Sequence, residues 1–295
     1  MSNIINNSSK YIFLNEKLSK FSWFNLGGKA EIFLKPDNED QLEKFLKGNN
    51  KLITILGAGS NTIIRDGGIK GVTIKLSPRF SYVNLIDKNI IEVGAGTLDK
   101  KFSNFATENS LSGFEFLSCI PGSIGGGIKM NCGCYGFTIS DNLISIMTID
   151  YKGNKKKIDK EQINFFYRGC NLDENLIILS AKFKGKIDDK KRIIAKQEEL
   201  LKAKKKSQPK QVKTCGSTFK NPNNIKAWKL IKDSGCENMS VGNAKVSEKH
   251  CNFFINDGNT TSQEVEELIT KVKNKVFEKT GTNLELEIKI IGINS

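Results

Sequence analysis

"IPGSIGGGIKMNCGCYG", residues 120–136, places glycine at six of its seventeen positions. These are Gly122, Gly125, Gly126, Gly127, Gly133 and Gly136. Glycine lacks Cβ and reaches positive φ freely, so a cluster this dense indicates that something comes very close to the main chain. Pro121 fixes the turn before it. We predict that the run 125–127 lets the backbone lie flat against a planar or phosphorylated ligand.

Another glycine loop, LGAGSN, occupies residues 56–61 and is the first of the two along the chain. It matches half of the dinucleotide fingerprint G-x-G-x-x-G, but Thr62 stands where the third glycine belongs. The following TIIRDGG is β-branched and then broken by glycine, so it predicts a strand rather than the helix that a Rossmann loop opens. A P-loop is excluded because no G-K-[ST] follows. An ordinary hairpin turn and a concave anion-binding nest of main-chain N–H groups remain possible.

Together the two loops favour one elongated ligand, such as a dinucleotide, lying between two subdomains. Ser60 and Asn61 add side-chain donors to the first loop. We expect the cofactor to contact Gly57, Ala58, Gly59, Ser60, Asn61, Ile120, Pro121, Gly122, Ser123, Gly125 and Gly126.

Apolar patterning predicts three parts, over residues 1–80, 81–187 and 188–295. The first holds short strands, tight turns and one helix in NEDQLEKFLKGNN, residues 38–50, which Asn38 caps and Gly48 ends. In the second, strands alternate with helical stretches. The third opens with a helix over 188–206 and continues with helices near 225–233 and over 262–281. It closes with a strand, LELEIKIIG, over 284–292.

The formal net charge is +14, of which a net nine charges lie in residues 182–213. That segment contains a single aromatic residue, Phe183, on which nucleobases could stack. We therefore interpret it as a solvated helix and linker and expect no nucleic-acid partner. We expect a monomer or a weakly associating homo-oligomer.

Several absences narrow the chemistry further. No stretch reaches the roughly 18 apolar residues of a membrane span, and the first residues lack a secretory signal pattern. The seven cysteines contain no C-x-x-C, and their odd number argues against a disulfide framework, so we expect a cytoplasmic protein. His250 is the single histidine, and we expect neither a metal site nor a histidine-activated nucleophile.

Seven stretches along the chain carry a family resemblance. They are FSWFNLGGKAEIF (21–33), ILGAGSNTIIRDGGIKGVTI (55–74), SGFEFLSCIPGSIGGGIKMNCGCYG (112–136), FFYRGC (165–170), TCGSTFKNP (214–222), VGNAKVSEKHCNFFIN (241–256) and LELEIKIIG (284–292). In this order they resemble the UDP-N-acetylenolpyruvoylglucosamine reductases, or UDP-N-acetylmuramate dehydrogenases. Because its C-terminal region has no long insert, the sequence resembles the shorter, second type of that family.

The resemblance implies an α+β fold with an FAD-binding unit of the PCMH or vanillyl-alcohol-oxidase kind. Its two subdomains would be residues 1–80 and 81–187, and residues 188–295 would form the substrate-binding domain. It implies bound FAD, NADPH as co-substrate and a UDP-sugar substrate whose enolpyruvyl group is reduced. The resulting UDP-N-acetylmuramate serves peptidoglycan synthesis, and hence cell wall biogenesis, cell shape and cell division.

The resemblance also implies roles for individual side chains. Arg168 in YRGC matches the catalytic arginine, and its planar fork suits a carboxylate that gains enolate charge. Ser217 in GSTFKNP matches the proton donor. An unassisted serine is a weak acid, so donation makes sense only toward a strongly basic carbanion.

Glu287 in LELEIKIIG matches the catalytic glutamate, which shares stabilisation of the enolate with the arginine. Glu285 and Glu287 would lie on the same face of a strand, so periodicity alone does not separate them. The resemblance selects Glu287. The expected substrate ligands are Asn221 and Lys220.

Two alternatives stay open beside the reductase. One is another FAD oxidoreductase on the same scaffold that acts on a different hydroxy acid or alcohol, against which GSTFKNP and LELEIKIIG argue. The other is a basic nucleic-acid-binding protein that uses residues 182–213. Arginine is scarce among the 46 basic residues, which suits a general lysine bias at least as well as a phosphate-binding surface.

Overall fold

The computed structural model describes residues 10–222 and 225–295, which form two compact units built from interleaved segments. Unit 1 comprises the described residues up to Phe13, then Ile32–Ala58 and Val72–Lys204. Unit 2 comprises Leu14–Glu31, Gly59–Gly71 and Lys205–Ser295. The expected division at residues 80 and 187 stays a prediction, and residues 1–9 of its first part and 223–224 of its last lie outside the described residues.

Helices and strands are mixed along the described chain, which confirms the α+β class. The α-helices are α1 (Glu39–Lys47), α2 (Asp99–Glu108), α3 (Ile124–Lys129), α4 (Lys190–Ser207), α5 (Ala227–Asp233) and α6 (Ser262–Thr280). The strands up to residue 94 are β1 (Ile12–Lys17), β2 (Lys29–Leu34), β3 (Ile53–Ile55), β4 (Thr62–Ile64), β5 (Ile69–Ile74), β6 (Val83–Asp87) and β7 (Ile90–Gly94).

The later strands are mostly short. Those up to residue 170 are β8 (Leu111–Ser112), β9 (Gly133–Cys134), β10 (Phe137–Thr138), β11 (Leu143–Asp150), β12 (Lys155–Asp159), β13 (Phe165–Phe166) and β14 (Gly169–Cys170). The remainder are β15 (Leu176–Lys184), β16 (Lys186–Ile187), β17 (Ser240–Val241), β18 (Ala244–Val246), β19 (Phe254–Asn256) and β20 (Lys289–Ile291).

The centre of unit 1 is a five-stranded antiparallel sheet in the order β12–β11–β15–β7–β6. Beside it, three buried rings pack together: the Phe102 centroid lies 4.7 Å from that of Phe114 and 5.1 Å from that of Phe183. Phe102 belongs to α2 and Phe183 to β15, so this cluster fixes α2 against the sheet. The same core contains Ile124 and Ile128 of α3, which anchors the glycine-rich segment.

The predicted helix over 38–50 is confirmed as α1, with both of its end signals. The Asn38 side chain accepts a hydrogen bond from the Gln41 N–H at 2.9 Å, and Gly48 is the C-cap. Leu42, Phe45 and Leu46 are buried in a second core of unit 1. In the same unit β3 pairs in parallel with β5, with Ile53 opposite Val72.

Unit 2 is organised around α6 and the three-stranded sheet β17–β18–β19. A reciprocal capping box between Thr261 and Glu264 starts α6, and Gly281 ends it at φ 68°. The predicted apolar stripe of α6 is confirmed, since all its members are buried. They are Val265, Leu268, Ile269, Val272 and Val276.

The predicted basic helix is confirmed as α4. Ile193 and Leu200 are its buried residues, and most of its lysine side chains are exposed. Among the helices that the structure describes, none has the length and apolar character that crossing a membrane requires.

Candidate active site

The first glycine loop connects β3 to β4 along the chain. At its first residue, the Leu56 N–H donates to the Ile74 carbonyl at 2.9 Å. In the described part of the chain, the main-chain N–H groups of residues 57–61 donate to no protein acceptor. Successive N–H groups without internal partners can bind an anion. This supports the interpretation of the loop as a nest.

Lys75 adds positive charge beside the start of this loop, and sequence reasoning missed it. Its ammonium donates a hydrogen bond to the Gly57 carbonyl. Burial, reinforced by the nearby Lys35, lowers the pKa of Lys75. No motif marks this lysine, because its relation to the loop depends on the pairing of β3 with β5.

Two residues of the first loop also serve the fold of unit 2. A side chain at Gly59, where φ is +71°, would collide with the Phe21 carbonyl. The Gly59 carbonyl accepts a hydrogen bond from the Trp23 N–H at 3.0 Å. The Asn61 side chain, expected to face the cofactor, donates from Nδ2 to the Glu287 carbonyl at 3.0 Å. Gly59 is therefore required by packing, and Asn61 holds the C-terminal segment.

The second glycine loop contradicts one prediction. The run 125–127 does not lie flat but belongs to α3, with Ser123 as its N-cap. The Ile124 and Gly125 N–H groups donate to the Thr97 and Ala95 carbonyls at 2.9 and 3.0 Å, and the Gly127 N–H donates to the Ser123 carbonyl at 2.7 Å. The first two bonds join the glycine run to residues 95 and 97, which are far from it in the sequence. The glycine run alone therefore could not predict the helical turn.

The other glycines of this stretch have structural explanations. A side chain at Gly122 would collide with Asp99 Oδ2. At Gly125 it would meet Ala95 Cβ at 3.1 Å, and at Gly127 it would meet Cys132 Sγ at 2.9 Å. Protein atoms therefore explain the missing side chains at 122, 125 and 127, and contact of Gly122 and Gly125 with the cofactor stays a prediction.

Gly57 and Gly126 remain as glycines that face each other with little protein between them. Both are exposed. A Cβ built on Gly57 would lie 4.0 Å from Gly126 Cα and 3.1 Å from Ser123 Oγ. A Cβ on Gly126 would meet only Ser123 Oγ, at 3.6 Å, among the described residues. The two glycine loops thus meet at Gly57 and Gly126, and this surface is the candidate cofactor contact in unit 1.

Replacing Gly126 with alanine tests that surface. Alanine favours a helix over glycine by roughly 0.5–1 kcal/mol, so we expect the flavin-free protein to be as stable as the wild type or slightly more stable. The added methyl group would intrude on the cofactor, and overpacking of about 1–3 kcal/mol corresponds to a loss of FAD affinity of about fivefold to about 150-fold. Thermal unfolding and a fluorescence titration with FAD measure the two effects.

Gly125→Ala is the matched control, since it lies in the same helix but faces protein. Its methyl group would press on Ala95 Cβ at 3.1 Å, so this variant should unfold at a lower temperature. If Gly126→Ala binds FAD as tightly as the wild type, Gly126 is not a cofactor contact.

Asp99 is a second residue that sequence reasoning missed. It is the first residue of α2, and its side chain is fully buried. Neither carboxyl oxygen has a hydrogen-bond partner among the described residues. Burial raises the pKa of Asp99 to about 8. The only sequence signal was an acidic residue at a helix start, which normally indicates an exposed group.

Arg168 lies at the tip of the hairpin formed by β13 and β14 in unit 1. Its φ is +61°, a left-handed conformation that favours glycine. The φ of the preceding Tyr167 is not positive. The Arg168 guanidinium carbon lies 4.9 Å from the centroid of the Tyr167 ring. Strained backbone at a residue with a functional side chain often indicates a functional constraint.

The segment 130–135 approaches this hairpin. The Asn131 side chain donates from Nδ2 to the Phe166 carbonyl at 3.1 Å. Burial raises the pKa of Cys132 well above its ordinary value and that of Cys134 to about 12, and the positive charge of Arg168 opposes both shifts. These thiols are therefore packing groups at neutral pH, and they lie within electrostatic range of the arginine.

Ser217 and Glu287 lie on neighbouring segments of unit 2. The Glu287 N–H donates to the Thr218 carbonyl at 2.9 Å, and the Lys220 N–H donates to the Glu285 carbonyl at 2.8 Å. Ser217 itself forms an isolated bridge with Phe253. The structure thus brings together two predicted site residues that are 70 positions apart in the sequence.

The closing strand is shorter than predicted. β20 contains only Lys289–Ile291, and Glu287 lies in a bend before it. The expectation that Glu285 and Glu287 share a strand face is therefore wrong. Glu285 is exposed and pairs with Lys220 at 3.3 Å, whereas Glu287 is half-buried. Tertiary structure separates two residues that periodicity could not.

The expected substrate ligands have partners within the protein. Asn221 accepts a hydrogen bond on Oδ1 from the Ala227 N–H at 2.9 Å, at the start of α5. Lys220 reaches the exposed carboxylate of Glu285. Such an exposed ion pair contributes only about 0–1 kcal/mol, so an anionic ligand can displace it. Asn221 has a structural role whether or not it contacts a substrate.

Comparisons with known proteins agree with this architecture. The family profile described as FAD binding domain matches residues 30–159, and the profile described as UDP-N-acetylenolpyruvoylglucosamine reductase, C-terminal domain, matches residues 208–291. The chain therefore belongs to the class of FAD-binding oxidoreductases that carry a distinct C-terminal domain.

Full-length relatives narrow the class to one family. The chain is 47% identical over 97% of its length to UDP-N-acetylenolpyruvoylglucosamine reductase of Pelagibacter ubique, covering 96% of that protein. It is 47% identical over 93% of its length to the reductase of Rickettsia bellii, covering 92% of that protein. The crystal structure of UDP-N-acetylenolpyruvylglucosamine reductase from Thermus caldophilus superposes with a TM-score of 0.84 at 30% identity, covering 95% of this chain and 98% of that one. The chain belongs to the UDP-N-acetylenolpyruvoylglucosamine reductase family, which confirms the resemblance.

Proposed function

We propose that the chain catalyses the NADPH-dependent, FAD-mediated reduction of UDP-N-acetyl-3-O-(1-carboxyvinyl)glucosamine to UDP-N-acetylmuramate. The observation that carries this proposal is the 47% identity to a reductase of that name over 97% of the chain. All seven cysteines are free thiols, as suits action in the reducing cytoplasm. The product would enter peptidoglycan synthesis.

The two glycine loops fit a flavin nucleotide, and loop 57–61 begins in unit 1 and continues into unit 2 at Gly59. The free N–H groups of loop 57–61 would receive the diphosphate, with the Lys75 ammonium adding charge beside them. The exposed surface of Gly57 and Gly126 would allow the ligand to lie against the main chain. Bound FAD would supply the hydride that adds to the enolpyruvyl double bond, with NADPH as its source.

The chain's own side chains would carry the remaining steps. Arg168 would bind the substrate carboxylate through its planar fork and favour the enolate charge that develops there. The Glu287 side chain would lie beside the same carboxylate and share stabilisation of the enolate with Arg168. Ser217 would donate a proton from Oγ to the substrate carbon next to the carboxylate. The closeness of Ser217 to Glu287 supports assigning both residues to one reaction.

The test is to purify the protein, record its flavin absorbance and follow NADPH oxidation with and without the enolpyruvyl UDP-sugar. We expect a yellow protein whose NADPH oxidation depends on that sugar and yields one UDP-N-acetylmuramate per NADPH consumed. NADH in place of NADPH measures the nucleotide preference.

Three results would each contradict the proposal in a different way. A colourless protein that takes up no added FAD would exclude a flavin reductase. Rapid oxidation of NADPH by oxygen, unaffected by the sugar, would favour an oxidase on the same scaffold. Binding to mixed oligonucleotides that weakens steeply with salt would favour the nucleic-acid alternative.

A further inference from the structure

Asp99 links the start of α2 to the second glycine loop. Its N–H donates to the Gly122 carbonyl at 3.1 Å, and the preceding Leu98 forms an antiparallel bridge with Ser123. The Thr97 carbonyl accepts the Ile124 N–H at 2.9 Å. Residues 97–99 and 122–124 therefore run side by side, and any movement of Asp99 is transmitted to the loop.

The Asp99 carboxyl fills the space beneath that loop. Its Oδ2 occupies the place where a Gly122 side chain would lie, and its Oδ1 is 3.7 Å from the Cβ position of Gly127. Cys132 Sγ is 2.9 Å from the same Cβ position. The carboxyl therefore contacts both ends of the segment 122–127. It lies on the buried side of this segment, opposite the exposed Gly126.

The protonation state of this carboxyl follows from its burial. It is fully buried, and neither oxygen has a hydrogen-bond partner among the described residues, so ionisation would place an unpaired charge in a dry interior. Burial alone raises its pKa to about 8. Below that pH the group is uncharged, and above it the group becomes an anion that needs water.

Few other titratable groups face this carboxyl. The turn 120–123 and the first turn of α3 carry none in their sequence IPGSIGGG. Cys132 faces it from the segment 130–135, and the pKa of that thiol is raised well above its ordinary value. Lys100 and Lys101 follow on α2, but both are exposed. Asp99 is therefore the first group in this region to ionise as the pH rises above neutrality.

We propose that Asp99 is a positioning residue for the cofactor: its uncharged carboxyl supports the segment 120–126 in the shape that binds FAD. The inference rests on the proposed function, in which this segment contacts the flavin nucleotide. Ionisation would draw water beneath the loop, displace Gly122 and Gly126, and place a negative charge behind the surface that receives an anionic ligand. FAD affinity therefore falls as Asp99 loses its proton.

The test measures the Kd for FAD on flavin-free enzyme from about pH 6 to about pH 9.5, bracketing the raised pKa. In the wild type, we expect Kd to be constant at the acidic end and to rise by up to about tenfold per pH unit above the inflection, as loss of a single proton requires. Asp99→Asn keeps the shape without the charge, so its Kd should lack the inflection that Asp99 causes. Because the pKa of Lys75 beside loop 57–61 is lowered, the same pair is also compared with Lys75→Arg present, which keeps that positive charge throughout the pH range. Free FAD titrated alone accounts for ionisation of the flavin.

Cys132→Ala is the matched control, because it removes the neighbouring titratable group. This variant should retain the pH dependence of the wild type. The inference is overturned if the wild-type Kd does not change with pH, if Asp99→Asn shows the same inflection, or if Cys132→Ala abolishes it. A wild type that binds no FAD at any pH overturns the proposed function as well.

Infrared spectroscopy gives a second measurement that needs no Asp99 variant. The folded wild type should show the carbonyl band of a protonated carboxylic acid at neutral pH, and the band should disappear with the same midpoint as FAD binding. Absence of this band at neutral pH would overturn the inference even if Asp99→Asn fails to fold.

Discussion

Ser217→Ala is expected to slow reduction of the enolpyruvyl sugar by about a hundredfold to ten-thousandfold, the usual contribution of a positioned general acid. In free energy this is about 3–5 kcal/mol of transition-state stabilisation. Reduction of FAD by NADPH should proceed at the wild-type rate, because that half-reaction requires no proton from this hydroxyl. Stopped-flow absorbance of the flavin measures both half-reactions separately.

Ser240→Ala is a suitable control for this prediction. Ser240 is an exposed residue of β17 in the same unit, and its loss should change neither half-reaction. Equal damage to both half-reactions in Ser217→Ala would show that Ser217 supports the fold or the cofactor rather than protonation. A solvent isotope effect on sugar reduction that disappears in the variant would further support proton donation.

Arg168→Gly is expected to reduce turnover of the sugar by about a hundredfold to a thousandfold, as removal of one electrostatic donor to a developing oxyanion does. Stability should change little. Relief of the left-handed conformation gains about 1–2 kcal/mol, whereas the more flexible unfolded chain and the lost stacking on Tyr167 each remove about 0.5–1 kcal/mol. Steady-state kinetics and thermal unfolding of the same preparations measure both effects.

Two further variants separate charge from backbone. Arg168→Lys keeps the positive charge but loses the planar fork, so we expect partial activity. Asn238→Gly changes another left-handed residue, at φ 61° in unit 2, and should leave turnover unchanged. If Arg168→Gly retains full activity, the arginine is a turn residue and another group must bind the substrate carboxylate.

Local signals predicted the helices well. Asn38 caps α1 through a bond to Gln41, only three residues away, and the capping box of α6 spans the same distance. The apolar stripe of α6 is likewise a repeat of three and four residues. Such features depend on neighbours along the chain, so the sequence contains them directly.

The glycine-rich stretch shows where this reasoning fails. Density of glycine correctly indicated close approach to the main chain, but at Gly122 the approaching group is the Asp99 carboxyl and at Gly127 it is the Cys132 sulfur. A glycine indicates that the space of a side chain is occupied, but it does not identify the atoms that occupy it. The assignment of Arg168, Ser217 and Glu287 as catalytic stays a prediction that rests on the family motifs.

By itself, the sequence determined the family, the α+β class and the ends of the principal helices, because ordered motifs and capping residues act over short distances. Only the tertiary structure decided that Gly57 and Gly126 meet at an exposed surface, that Glu287 is half-buried while Glu285 is exposed, and that Asp99 is fully buried. Burial and partnership depend on contacts between distant segments, such as residues 97–99 with 122–124. These contacts bury Asp99, and the burial raises its pKa.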